Sequence, residues 1–206
     1  MTENRVTTLT LGDSYTIGTG APPADRWPAQ LTRALREEGF SLAEPVYVAK
    51  NGWTSADLLH ALKDEPLAGP FDTVTLLIGV NDQYDGVPPE TYRHQLGNLL
   101  EKSIQLAGGE PGRVLCLSIP DWSVTPFAAD RDREEIRREI EHFNRIFWEQ
   151  VQSRGTAYVN LTPLSRQAGE NGALLVEDGL HPSGCMYALW VEAILPAARE
   201  IFDEHR

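Results

Sequence analysis

Five short runs of apolar, β-prone residues punctuate this chain, at 6–11, 46–49, 73–78, 114–119 and 157–160, with stretches of helical periodicity between them. Several runs are almost continuously apolar, the pattern of strands covered on both faces rather than one. Neighbouring parallel strands need a crossover of a dozen or more residues, which a helix supplies. The alternation therefore predicts an α/β fold: a three-layer α/β/α sandwich around a mainly parallel, five-stranded sheet. No internal repeat or low-complexity linker divides the chain, so residues 1–206 are read as one domain.

The helices can be placed by their punctuation. Asp25 is expected to cap a helix with Pro28 in its first turn, Trp27, Leu31 and Leu35 on one face, and Gly39 at its stop. Thr54 and Asp57 have capping-box spacing ahead of Leu58, Leu59 and Leu62. Residues 89–107 align Tyr92, Leu96, Leu99, Leu100 and Ile104, and residues 130–154 align Ile136, Ile140, Phe143, Phe147 and Val151. A last helix spans 183–202, where Pro196 should kink or interrupt it.

Charge narrows the function. With 18 Lys and Arg against 30 Asp and Glu, the net charge is −12. Phosphate backbones are repelled by such a chain, so nucleic acid is not an expected partner. No run approaches the ~18 apolar residues of a membrane span. The opening MTENRVTTLT lacks the apolar core of a signal peptide, so a cytoplasmic location is expected. Cys116 and Cys185 form no CxxC and are expected to be buried thiols. There is no HExxH and no close His/Cys cluster, so no metal or other cofactor is expected.

In open parallel sheets, ligands bind beyond the carboxyl ends of the strands. The residues there are Gly12-Asp13-Ser14, Asn51-Gly52-Trp53, Gly79-Val80-Asn81-Asp82 and Pro120-Asp121-Trp122, with Asp178-Gly179-Leu180-His181-Pro182 ahead of the last helix. Together they supply what acyl transfer needs. A serine hydroxyl such as Ser14 requires a base within hydrogen-bond reach, and His181 is the best placed. Its tautomer must be fixed by an acceptor on the other nitrogen, and Asp178 lies three residues away. The Ser14 and Gly52 N–H groups and the Asn81 amide could serve as oxyanion donors, each worth ~3 kcal/mol of barrier. His60, His94, His142 and His205 lack a comparable setting and are read as solvated. Asp13 and Asp82 are read as scaffold groups of their loops.

These blocks resemble the SGNH hydrolases, also called the GDSL esterase/lipase family. That family is named for a Ser in Gly-Asp-Ser, a Gly, an Asn in Gly-x-Asn-Asp and a His in Asp-x-x-His, and all four occur here in order. The resemblance spans nearly the whole chain. It implies a flavodoxin-like strand order, 2-1-3-4-5. It also implies a serine esterase acting on small carboxylic esters, with a Ser14–His181–Asp178 triad and an oxyanion hole at Ser14, Gly52 and Asn81. One departure is Tyr15, where the family pattern often has Leu.

Tyr15, Trp53, Tyr84, Trp122 and Phe127 fall near the predicted strand ends. They are candidates for an acyl or alcohol pocket, with loops 83–89 and 122–130 shaping access. The same machinery would serve an acyltransferase, a thioesterase or a carbohydrate deacetylase. A flavin- or phosphate-binding module is a further reading of the glycine-containing loop 14–20, although it lacks the P-loop pattern and a full GxGxxG.

Overall fold

The computed structural model describes residues 5–64 and 67–203. The first four residues of the opening decapeptide, and His205, lie outside them. Five strands form one sheet: β1 (Thr8–Gly12), β2 (Val46–Ala49), β3 (Thr73–Leu77), β4 (Val114–Leu117) and β5 (Ala157–Val159). Their order is β2-β1-β3-β4-β5 and every neighbouring pair is parallel. This is the flavodoxin-like order that the resemblance implies. β3 and β4 are buried at every residue, whereas the edge strands β2 and β5 are only partly covered. That gradient explains why the central runs read as continuously apolar.

Among the described residues, eight α-helices accompany the strands: α1 (Ser14–Ile17), α2 (Trp27–Glu37), α3 (Ser55–Asp64), α4 (Val80–Tyr84), α5 (Pro89–Leu106), α6 (Arg133–Arg154), α7 (Thr162–Ser165) and α8 (Gly184–Asp203). α2 packs on α8, and α3, α5 and α6 pack in sequence with one another, so the two groups form the outer layers. Leu9, Leu11, Leu76, Leu99, Leu100, Phe147 and Trp190 are wholly buried between the layers.

The capping box is realised: the Thr54 N–H and hydroxyl both donate to Asp57 Oδ2, and the Asp57 N–H returns to Thr54 Oγ1. Three expectations change. Asp25 does not cap α2; it ends a short 3-10 turn, and Arg26 precedes the helix without a side-chain cap. Pro28, near the start of α2, has no N–H to satisfy and presets φ, which lessens the need for a cap. Pro196 sits inside α8 without ending it. Pro196 and Glu192, whose carbonyl loses its partner, are both exposed, so water can satisfy that carbonyl. Cys116 is buried but Cys185 is exposed, because the first turn of α8 turns it outward.

The chain leaves β1 toward β2 on one side and returns to β3 on the other. The crevice beyond the carboxyl ends of β1 and β3 is therefore the switch point of the sheet. Gly12 makes that crevice tight. A Cβ there would lie 2.2 Å from Thr16 Oγ1 and 2.4 Å from the Leu77 carbonyl oxygen. The backbone oxygen cannot swing away, so β1 and β3 would have to part. Gly12→Ala is expected to cost about 3 kcal/mol of stability, the upper end for overpacking. Urea denaturation of the variant beside the parent protein measures it.

Candidate active site

β1 delivers Ser14 directly. Asp13 caps α1 by accepting the Tyr15 N–H on Oδ1 at 2.9 Å, which makes Ser14 the first residue of that helix. Gly18, at φ 71°, closes α1 in the left-handed region. The N–H groups of Thr16 and Ile17 are bound to the Asp13 carbonyl, and those of Gly18 and Thr19 to the Ser14 carbonyl. This loop therefore has few free donors for a phosphate, and the phosphate-cradle reading finds no support in it.

Asp13 is fully buried, and its Oδ2 has no hydrogen-bond partner. Burial pushes its carboxyl up to about 8, against the lowering effect of the Tyr15 N–H and with a further push from Asp82. Asp82 is buried too and is raised mainly by desolvation, although Ser55 donates to it through both N–H and hydroxyl. That bond ties the start of α3 to the start of α4, a scaffold role like the one expected of Asp82.

β3 delivers Asn81 through Gly79. Gly79 adopts φ 126°, and a Cβ there would meet the Tyr92 hydroxyl at 2.6 Å. Asn81 Nδ2 donates to the Trp53 carbonyl at 2.8 Å. An amide carries two N–H donors, so one remains. Gly52 occupies the turn after β2 at φ 81° with open space around it.

The Asp178–His181 pair is built on a tight local loop. The Val176 N–H bonds the His181 carbonyl, and Gly179 turns the chain at φ 66°. Asp178 Oδ1 accepts the N–H groups of Leu180 and His181, and Oδ2 lies 2.6 Å from His181 Nδ1. Partial burial would raise the Asp178 carboxyl, but the hydrogen bonds from the His181 ring and the two backbone amides outweigh it and hold the carboxyl below its usual value. A carboxylate can only accept, so Nδ1 carries the imidazole proton and Nε2 is left as an acceptor. Tyr15 packs under the imidazole, with ring centroids 5.5 Å apart, and its carbonyl accepts from the Tyr187 hydroxyl.

One cavity of about 190 Å³ gathers these groups. Ser14, Asn81 and His181 line it together with Tyr15, Tyr84, Trp122 and Phe127. Among the described residues, no hydrogen bond joins Ser14 to His181; such bonds commonly tighten only around substrate. Three expected residues stand apart from the wall, Asp178 among them because it meets the site only through its bond to His181. Trp53 is packed against the core and contributes its carbonyl to Asn81 instead, and Gly52 flanks the cavity without lining it. Asn51, Val80 and Leu180 line the cavity and were not singled out from sequence. Asn51 could have been, since it lies two residues past the end of β2, beside Gly52. His60 and His94 are exposed on α3 and α5, and His142 is half-buried on α6.

The far wall is aromatic. Tyr84, Trp122 and Phe127 form a closed triangle with centroid separations of 5.6, 6.2 and 5.8 Å. Trp122 Nε1 donates to Gln83 Oε1, and Gln83 Nε2 donates to Glu139 on α6. The Phe127 N–H donates to the Gly179 carbonyl, which joins this wall to the Asp178–His181 loop. Among the described residues, no group of three or more His, Cys, Asp and Glu is arranged to hold a metal ion, and no helix is long and apolar enough to cross a membrane.

A switch-point cavity of this kind on a flavodoxin-like sheet places the chain among the α/β/α sandwich proteins with a site at the carboxyl ends of the strands. More narrowly, it belongs to the GDSL-like lipase/acylhydrolase family, whose model matches residues 10–189. It is a carboxylic ester hydrolase of that family. It is 26% identical over 198 residues to Esterase TesA of Pseudomonas aeruginosa, a span of 95% of this chain and 89% of that protein. A crystal structure of TesA superposes with a TM-score of 0.74 at 23% identity, covering 95% of this chain and 99% of the other. Axe2, an acetylxylan esterase from Geobacillus stearothermophilus, superposes at 0.72 with 19% identity and 93% coverage of both chains.

The buried Asp13 carboxyl has a consequence for stability. Its folded value lies above its unfolded one, so the folded state holds a proton that the unfolded state releases between about pH 4 and about 8. Stability from this group is full below the unfolded value and is lost as pH rises through the folded value. Asp13→Asn keeps the acceptor for Tyr15 and removes the titration. Urea midpoints at pH 5 and pH 8 should fall less for the variant than for the parent protein. Equal falls would sink this account of Asp13.

Proposed function

We propose that Ser14 is the nucleophile of a serine esterase, with His181 as general base and Asp178 as the acid that orients it. The observation that carries this reading is the 2.6 Å Asp178–His181 bond on the wall of the cavity that Ser14 also lines. Ser14 Oγ attacks the ester carbonyl carbon while His181 Nε2 takes its proton. The Ser14 and Gly52 N–H groups and the second Asn81 N–H receive the negative charge on the former carbonyl oxygen. The imidazolium returns the proton to the departing alcohol, which leaves an acyl group on Ser14. Water, deprotonated by His181, then releases the carboxylic acid and restores the serine. The Asp178 carboxylate, held ionised by its hydrogen bonds, stabilises the imidazolium in both halves.

An acceptor other than water would make the same intermediate serve acyl transfer, and a thioester or an acetylated sugar could form it. The wall of three aromatic rings with Val80 and Leu180 favours a hydrocarbon acyl group.

The test uses p-nitrophenyl acetate and butyrate. Ser14→Ala and His181→Ala should each lose at least about 10³-fold in kcat with an unchanged melting curve. Asn81→Ala should lose about 10²- to 10³-fold, the usual effect of one oxyanion donor. Undiminished turnover in Ser14→Ala would end the assignment.

A further inference from the structure

Arg131 stands outside the cavity wall, yet it grips one of the wall's residues in two ways. Its Nη2 donates to the Tyr84 hydroxyl at 2.8 Å, and its guanidinium carbon lies 4.7 Å from the Tyr84 ring centroid. The same carbon is 5.8 Å from the Trp122 ring. Trp122 is buried and its indole N–H is anchored through Gln83 to Glu139. Tyr84 is 41% exposed, so it forms the rim of the cavity rather than its floor. An exposed ring at a rim would swing freely unless something held it. The hydrogen bond and the cation–π contact fix both its tip and its face.

The volume gives that grip a meaning. An apolar cavity of about 150 Å³ admits a molecule the size of benzene. A cavity of about 190 Å³ therefore takes the reacting carboxyl and only a short chain. The acyl group stays beside Ser14 through both half-reactions, while the alcohol departs after the first. The cavity opens to solvent at its rim, so a longer chain must pass Tyr84 there, and the apolar space beside Ser14 is assigned to the acyl side. We infer that Arg131 is a positioning residue that sets an upper limit on acyl length by pinning Tyr84 at the outer end of the cavity. This rests on the esterase reading above and adds the substrate class: esters of short acids, up to about four carbons.

The experiment compares kcat/KM for p-nitrophenyl acetate, butyrate and octanoate in the parent protein, Arg131→Ala, Tyr84→Phe and Arg145→Ala, with Ser14→Ala as the blank. The parent protein should favour acetate and butyrate. Arg131→Ala should raise the octanoate-to-acetate ratio about tenfold, mainly through a lower KM for octanoate. Tyr84→Phe keeps the ring and loses the hydrogen bond, so the ratio should rise less. Arg145→Ala removes the same charge from α6 outside the cavity wall and should leave the ratio where it was.

An unchanged ratio in folded Arg131→Ala overturns the inference, as does an equal rise in Arg145→Ala. Proportional loss on all three esters overturns it too, since that marks a structural role alone. If Arg131→Ala does not fold, Arg131→Met, which keeps an unbranched stem and removes both contacts, and Tyr84→Phe decide on the same criteria. A parallel ethyl and hexyl acetate series should not respond; a shift there instead of in the acyl series overturns the acyl assignment. The parent reading fails separately, by the absence of Ser14-dependent turnover on every ester.

Discussion

The close approach of β1 to β3 at Gly12 is the constraint from which the site follows. No side chain fits between the end of β1, the Leu77 carbonyl and Thr16. Because the two strands stay in contact there, Ser14 emerges at the point where the chain's two directions of winding diverge. Asn81 emerges from β3 on the facing side, and both reach the same cavity. The alignment of hydroxyl and amide is thus a property of strand pairing, which many buried residues maintain. Asp13 serves the same end by fixing the first turn of α1, and burial raises its carboxyl, which disfavours a full negative charge next to Ser14.

The cavity has two kinds of wall with different supports. The polar side is made of backbone turns and short polar groups placed by strand ends. The aromatic side comes from α4 and from the irregular segment that follows β4, held by bonds to α6 and to Arg131. Solved structures with fewer than one residue in four in common share the fold over nearly the full chain. The polar side depends on that shared sheet. The aromatic side depends on side chains that the sheet does not dictate, which is where substrate preference can vary.

Much of this was legible in the sequence, for physical reasons. Strand runs and helix stripes carry their burial in their periodicity, so all five strands and the long helices α5 and α6 fall where the pattern puts them, within a few residues at their ends. The Asp178–His181 contact was readable because three residues cannot separate far in a tight turn. Strand order was not readable from periodicity, which records faces but not neighbours; it came from the resemblance. Trp53 looked like a pocket residue because it follows a strand, but only packing decides whether such a ring turns toward the cavity or the core. Arg131 left no mark in the sequence, since its role is set by two rings brought to it by tertiary structure. Asp25 misled because a favourable capping residue sat one position too early.

The acid and base of the proposed triad share one four-residue turn, while the serine sits more than 160 residues earlier in the chain. The costs of ordering them differ accordingly. Asp178 and His181 find each other locally, and their bond does not depend on the sheet. Only the docking of their loop is long-range: Tyr15 beneath the imidazole holds it to α1, and the Phe127–Gly179 bond holds it to the segment after β4. Such a segment would separate from Ser14 as a unit, with the Asp178–His181 bond intact inside it. The weak seam of this structure therefore runs between His181 and Ser14, and loss of activity on heating can precede loss of the fold.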